Sequence, residues 1–385
     1  MAMSNRTRRQ VVGLLSLGLA LAGVGTLVTL LLFGEFPRPW WLWALLAVAF
    51  VVLEFAAVEV TDRMRISGSI MVAFTAAVVF GRVAAPPAVA LMAAMAMLQP
   101  ADVRNRRWQQ PLANLGQLVL SSTVGMLVFA AFLPAGEVTR ADLPLLVFGA
   151  IAGFIVYNYC NYQLVAGFVR LAYPGRRMPP WSSLLGTHAA VGAMAVLGAL
   201  LGAAYVMVGP VISPLILLTY VVGHIGFSTD ARLRQAHEST IRGFVKVVEA
   251  LDPLTKGRTE RVAHLCRITG EQLRLPWDRM EGLRWAALLH DVSRLAVPGD
   301  LANREESLTP AEHEEAVRHR TVVHGVLAEV EFLRPMVAIT AAAHTLLGQT
   351  EVITPIPREA RILSLIHISE PTRRRLESRL ECLGG

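Results

Sequence analysis

Stretches of apolar residues separated by short polar or basic segments fill the first 229 positions of the chain. A helix rising about 1.5 Å per residue needs about 20 apolar residues to cross about 30 Å of hydrocarbon. The pattern predicts spans near 11–33, 40–60, 67–84, 86–100, 113–133, 144–169, 184–208 and 210–228. After residue 230 the pattern changes, with Leu233, Ile241, Phe244, Val248 and Leu251 at helical spacing among mixed charges. That predicts an amphipathic connecting helix over 230–251, either packed on the following domain or paired with a second copy as a homodimer seam. From 252 to 363, apolar positions such as Val262, Leu265, Cys266, Thr269 and Leu273 again follow helical spacing, without strand alternation. Asp278 with Glu281, and Thr309 and Pro310 with Glu312, have the spacing of capping boxes. Pro335 starts a run, MVAITAAAH, that is apolar nearly all round and so carries His344 inward. The expected fold class is all-α: a polytopic transmembrane helical domain over 1–229, then an α-helical domain.

Composition narrows the class. With 385 residues, 54% apolar and 17% charged, the chain is too hydrophobic for disorder, and three cysteines cannot build a disulfide framework. Residues 1–229 hold 14 Arg and 7 acidic residues, whereas the remainder holds 22 basic and 22 acidic residues. The whole excess of +7 therefore sits in the apolar half, which argues for topology and against nucleic-acid binding. Counting alternate loops, one set carries eleven arginines (Arg6, Arg8, Arg9, Arg63, Arg65, Arg104, Arg106, Arg107, Arg170, Arg176 and Arg177) and the other three (Arg38, Arg82 and Arg140). Positively charged loops stay cytoplasmic, so a multi-pass protein of the cell (inner or plasma) membrane with both termini in the cytoplasm is expected. Trp40, Trp41 and Trp43 then fall at the outer interface. Glu54 is the deepest charge in the spans, Glu59 is spaced for an ion pair with Arg63, and Asn114, Gln117, Asn158, Asn161, His188 and His224 either line a cavity or bond helix to helix.

The chemistry concentrates in AALLHDVSRLAVP, where a buried helix runs into His290 and Asp291. Adjacent imidazole and carboxylate groups suit a divalent ion of the iron, manganese or magnesium class, and a carboxylate can bridge two ions. The plain alternative is a helix end at which Asp291 caps a turn and His290 is a satisfied core residue.

Residues 252–363 resemble the HD superfamily of metal-dependent phosphohydrolases, and within it the HD-GYP branch. ALDPLTKGRTERVAHL is similar to the opening helix, HDVSRLAVP to the HD-x-G-K block, LTPAEHEEAVRH to a segment delivering a histidine, and IPREARIL to the closing stretch. The resemblance implies His290, Asp291, His319 and His344 as metal ligands, Asp291 bridging one or two ions, and Arg294 as the phosphate contact. The implied activity is hydrolysis of a nucleotide or of a cyclic dinucleotide such as cyclic di-GMP. His264, His313 and His324 match no ligand position and read as surface or packing residues.

The sequence also departs from that pattern. Arg258 stands where the opening helix should present a histidine, and a guanidinium has no lone pair for a metal. The second histidine of a paired block is replaced by Ala343 or Thr345, Ser293 stands for a glycine, Arg294 for a lysine, and LLGQTEVITPIP contains no GYP. The tail 364–385, SLIHISEPTRRRLESRLECLGG, lacks the family's last aspartate, puts His367 about where it belongs, and resembles translated sequencing-adapter read-through. It is expected to be non-native, with the helical domain truncated at 363. Two functions follow: a membrane-anchored HD-type phosphohydrolase, or a non-catalytic regulator that binds a nucleotide or a protein. A transporter ranks third.

Overall fold

The computed structural model describes residues 5–61, 64–97, 104, 108–173, 178, 180–251, 257–293, 297–298, 309–348 and 356–369. The chain divides into two units, Met1–Ala231 and Arg232–Gly385. The first contains α1 (Asn5–Phe33), α2 (Trp40–Phe55), β1 (Val58–Thr61), β2 (Met64–Ile66), α3 (Ser69–Met95), α4 (Gln109–Ala130), α5 (Leu143–Ala172) and α6 (Leu185–Val208). Helix α7 (Ser213–Leu251) begins in the first unit and ends in the second. The second unit continues with α8 (Arg258–Gln272), α9 (Trp277–Leu289), α10 (Pro310–Ala328), α11 (Arg334–Gly348) and α12 (Arg358–Ser369).

Five helical segments are long and apolar enough to cross a membrane: Gln10–Phe33, Ser69–Met95, Gln109–Ala130, Arg140–Ala172 and His188–Val208. Trp40–Phe55 and Pro210–Gly226 are shorter apolar helices. Leu14, Leu21, Leu32 and Leu217 stand outward and exposed, an arrangement that lipid covers and water does not favour. The spans expected at 67–84 and 86–100 fall within α3, in which two helical pieces meet at a kink. Its break falls at Gly81 (φ 77°), while Pro86 and Pro87 sit inside the helix. The span expected to reach residue 60 stops at Phe55, and an antiparallel hairpin follows, with Val58 opposite Ile66.

Close backbone approach packs the helices of this unit against one another. A Cβ on Gly116 of α4 would stand 2.0 Å from the Leu19 carbonyl of α1, and one on Gly198 of α6 would stand 2.2 Å from the Met71 carbonyl of α3. Thr75 Oγ1 donates to the Gly198 carbonyl at 2.9 Å. The polar side chains bond helix to helix: Gln117 Nε2 to Asn161 Oδ1 at 2.8 Å, Asn158 Nδ2 to His188 Nδ1 at 3.1 Å, and Ser69 Oγ to Glu54 Oε2 at 2.6 Å. Trp40 and Trp41 are exposed, whereas Trp43 turns inward and donates to the Ala88 carbonyl. Arg63 lies outside the described residues, and with it the expected pair with Glu59.

The second unit is a helical domain around a core of Ile241 and Val248 of α7, Val262 and Cys266 of α8, Leu283 and Ala286 of α9, Val337 of α11 and Leu363 of α12. The connecting stripe is thus spent on this domain's own core, although Leu233 is exposed. Leu273, expected among the apolar positions, is also exposed. Burial pushes the Cys266 thiol up to about 12, so it acts as a small core residue. Helix α10 starts at the expected capping box: Thr309 Oγ1 accepts from the Glu312 amide, and Glu312 Oε2 accepts from the Thr309 amide at 2.8 Å. The other box is not the start of α9, which begins at Trp277 with Pro276 in the cap position, leaving Asp278 inside the helix.

Candidate metal and phosphate site

Helix α9 buries Ala286, Ala287, Leu288 and Leu289, then ends, so the next two residues project from the end of a fixed rod. His290 Nδ1–H donates to the Ala287 carbonyl at 2.7 Å, because a carbonyl can only accept. In the neutral ring this leaves the Nε2 lone pair free of its proton, the tautomer a metal ligand requires. Nε2 stands 3.0 Å from Asp291 Oδ2, with His290 1% and Asp291 2% exposed. Both atoms are buried without a hydrogen-bond partner, since their approach is not aligned for one.

His367 of α12 completes a group in which one donor atom from each of His290, Asp291 and His367 lies within 4.8 Å of the others. Its ring meets that of His290 edge-on, with centroids 5.1 Å apart. Two imidazoles and a carboxylate converging on one point suit a single divalent transition ion. The orphaned Nε2 and Oδ2 atoms are what such an ion satisfies, so the residues fit one.

Arg258, the first residue of α8, is 4% exposed, and its Nη1 lies 3.6 Å from Asp291 Oδ2. Burial opposes ionisation of Asp291, but the positive charge around it, Arg258 included, outweighs it and holds the carboxyl well below the usual range. The arginine thus puts a positive charge beside the carboxylate, where it disfavours a further cation.

His344 of α11 lies beside the group, its ring centroid 6.2 Å from that of His367. It stacks on His324 of α10 at 5.5 Å, and its Nδ1 is buried without a hydrogen-bond partner. Burial, then Arg320 and the surrounding histidines, push the His344 pKa down to about 3. His319 is not brought into the group: it is 41% exposed, with Nε2 3.9 Å from Glu315 Oε1 on its own helix. His264 is on the surface, as expected. Arg294 lies outside the described residues, as does the side chain of His313. His324 is the site neighbour that the sequence reading assigned to surface or packing.

Helix α12, which carries His367, is anchored from outside the pocket. Arg279 of α9 grips Glu359 with two hydrogen bonds, Nη2 to Oε2 at 2.6 Å, so the last helix is tied to the helix that ends in His290.

Over 113 residues, 29% of this chain and 25% of the relative, the sequence is 29% identical to a protein of Vibrio cholerae serotype O1 named 3'3'-cGAMP-specific phosphodiesterase 3. The chain thus spans about a quarter of that relative's length. No solved structure matches. The HD domain family matches residues 256–367, the stretch that carries His290, Asp291 and His367, so an HD domain follows the apolar helices.

Proposed function

We propose that the chain is a membrane-anchored, metal-dependent phosphohydrolase of the HD type, acting on a cyclic dinucleotide. The observation that carries this reading is the pair His290 Nε2 and Asp291 Oδ2, buried, 3.0 Å apart and unsatisfied, with Nδ1 locked to Ala287. The relative named as a cGAMP phosphodiesterase supports the substrate class. His290, Asp291 and the side chain at 367 would hold the ion, with His344 beside them. A divalent ion there would polarise a phosphoryl oxygen and acidify water. The protein's share is to fix the imidazole tautomer, to keep Asp291 ionised, and to exclude bulk water from His290 and Asp291, which are nearly fully covered. Arg294 remains the proposed phosphate contact, and His319 a proposed ligand that the described geometry does not support.

The apolar unit anchors the domain in the cell membrane, with both termini cytoplasmic, on the support of the eleven-to-three division of loop arginines. The residues from about 364 onward are proposed to be non-native, with the native chain carrying an aspartate at position 367.

The test is turnover of 3'3'-cGAMP and cyclic di-GMP by the full-length protein in detergent with Mn²⁺ or Fe²⁺. Hydrolysis abolished by His290→Ala and Asp291→Ala is the expected result. Bound metal without turnover would instead favour the non-catalytic regulator, a reading to which the Arg258–Asp291 pair lends weight.

A further inference from the structure

We infer that Arg258 is a built-in cation of this site: it takes the charge role of a second ion, so that the pocket holds one exchangeable ion and presents a fixed guanidinium to a substrate phosphate. This rests on the phosphohydrolase reading and adds to it an ion count and a phosphate-binding residue.

Three features carry the inference. A guanidinium 4% exposed is costly unless its charge and its donors are both met. Asp291 meets the charge, but at 3.6 Å it is beyond hydrogen-bond distance, and Arg258 Nε is buried with no hydrogen-bond partner. Nε is left without an acceptor, and phosphate suits a guanidinium two oxygens at a time.

Placement is the second feature. Arg258 is the first residue of the 15-residue helix α8, whose start has no side-chain cap. A cation there opposes the helix dipole, and uncapped amides want an acceptor. Glu249 Oε1 accepts from the Gly257 amide at 2.8 Å, and an anionic group on the amides that follow would favour both the helix start and the guanidinium.

The third feature is the charge balance. Among the described residues, the donor group contains a single carboxylate, Asp291. That carboxylate already faces a permanent cation, so in this chain, where position 367 is a histidine and not a carboxylate, a second divalent ion would add two charges without a further anionic ligand. One divalent ion together with Arg258 leaves the pocket positive enough to take a phosphodiester.

The experiment uses full-length protein in detergent and needs no turnover. Elemental analysis after equilibration with Mn²⁺ should give one ion per chain. Inorganic phosphate binding to the Mn²⁺-loaded protein, followed by calorimetry, should weaken about tenfold in Arg258→Lys, which keeps the charge and loses the fork, and further in Arg258→Gln. Arg258→Lys keeps a cation beside Asp291 and serves if Arg258→Gln does not fold. Two ions in the unaltered protein, or phosphate affinity unchanged in Arg258→Lys and in any folded Arg258→Gln, overturns the inference. Absence of cyclic-dinucleotide turnover alongside one ion and Arg258-dependent phosphate binding counts against the proposed activity and leaves Arg258 in this role.

Discussion

His290 Nε2 and Asp291 Oδ2 face each other across 3.0 Å with no hydrogen bond between them, while the opposite ring nitrogen of His290 is committed to the Ala287 carbonyl. Two buried acceptors at that distance repel unless a proton or a cation sits between them. Mn²⁺ should therefore raise the unfolding temperature of the second unit. At a free concentration of 100 times Kd the linkage supplies about 2.7 kcal/mol. His290→Ala should abolish the shift while leaving the metal-free protein folded. A shift of equal size in His290→Ala would place the ion elsewhere.

Asp291 also balances Arg258, so its two roles separate in a substitution. Asp291→Asn removes the charge from a buried ion pair and leaves Arg258 4% exposed with no anion. Breaking a buried pair from one side costs about 3–5 kcal/mol. The variant should therefore lose stability even in EDTA, where His290→Ala loses less. Chemical denaturation of both metal-free variants checks the order.

Part of this site was legible in the sequence. His290 and Asp291 are adjacent, so no long-range packing was needed to bring them together. Arg258 could be recognised as unable to bind metal, but its approach to Asp291 depends on how α8 packs against α9. His319 and His324 show where reading stops. Taking about 100° per residue, they flank the buried Ala316 and Leu327 and the half-buried Val323 at about 60° on one side and about 80° on the other. Periodicity makes both borderline, and only the packing of α10 against α11 selects His324 for the stack on His344. In the first unit, hydropathy located the apolar helices but not their breaks. The two spans expected at 67–84 and 86–100 meet a few residues too late, since the kink falls at Gly81, where φ is 77°. The hairpin after Phe55 had a local signal in the alternation of VEVT, overlooked inside an apolar stretch.

Position 367 gives a prediction about affinity. His367 shares the donor group with His290 and Asp291, and Arg258 stands on the same carboxylate. Replacing the imidazole with a carboxylate, His367→Asp, adds a negative charge facing the ion. Mn²⁺ affinity should rise, by about tenfold for each 1.4 kcal/mol gained. Amplifying the 3′ end of the gene from genomic DNA gives an independent check: an aspartate codon at this position, followed by a sequence unlike IHISEPTRR, is the expected result.

In the apolar unit, Gly198 packs directly on α3. A methyl group there would stand 2.2 Å from the Met71 carbonyl, which belongs to backbone and cannot rotate away. Overpacking of this kind costs about 1–3 kcal/mol. Gly198→Ala should lower the unfolding temperature of the detergent-solubilised first unit and leave Mn²⁺ binding in the second unchanged. Gly18, with no neighbour within 4 Å of a built Cβ, is the control at which alanine should be silent.

The pair Arg279–Glu359 contributes to the acid response of the second unit. Burial raises the Glu359 pKa, but the two hydrogen bonds from Arg279 outweigh it and hold the carboxyl below its ordinary value. A carboxylate with a depressed folded-state pKa contributes stability that is present above the unfolded value, about 4.3, and is lost as pH falls through the folded value. Arg279→Ala leaves Glu359, 6% exposed in its side chain, without that partner. At pH 7 the variant should be less stable by about 1–3 kcal/mol. The gap between the two proteins should narrow as pH drops below about 4, because protonated Glu359 no longer needs the guanidinium. Helix α12 carries both Glu359 and His367, so loosening it should also weaken Mn²⁺ binding at neutral pH. Urea titrations from pH 3 to pH 7, read with and without Mn²⁺, measure both effects. A stability gap that stays constant across that range would show that the ion pair does not anchor α12.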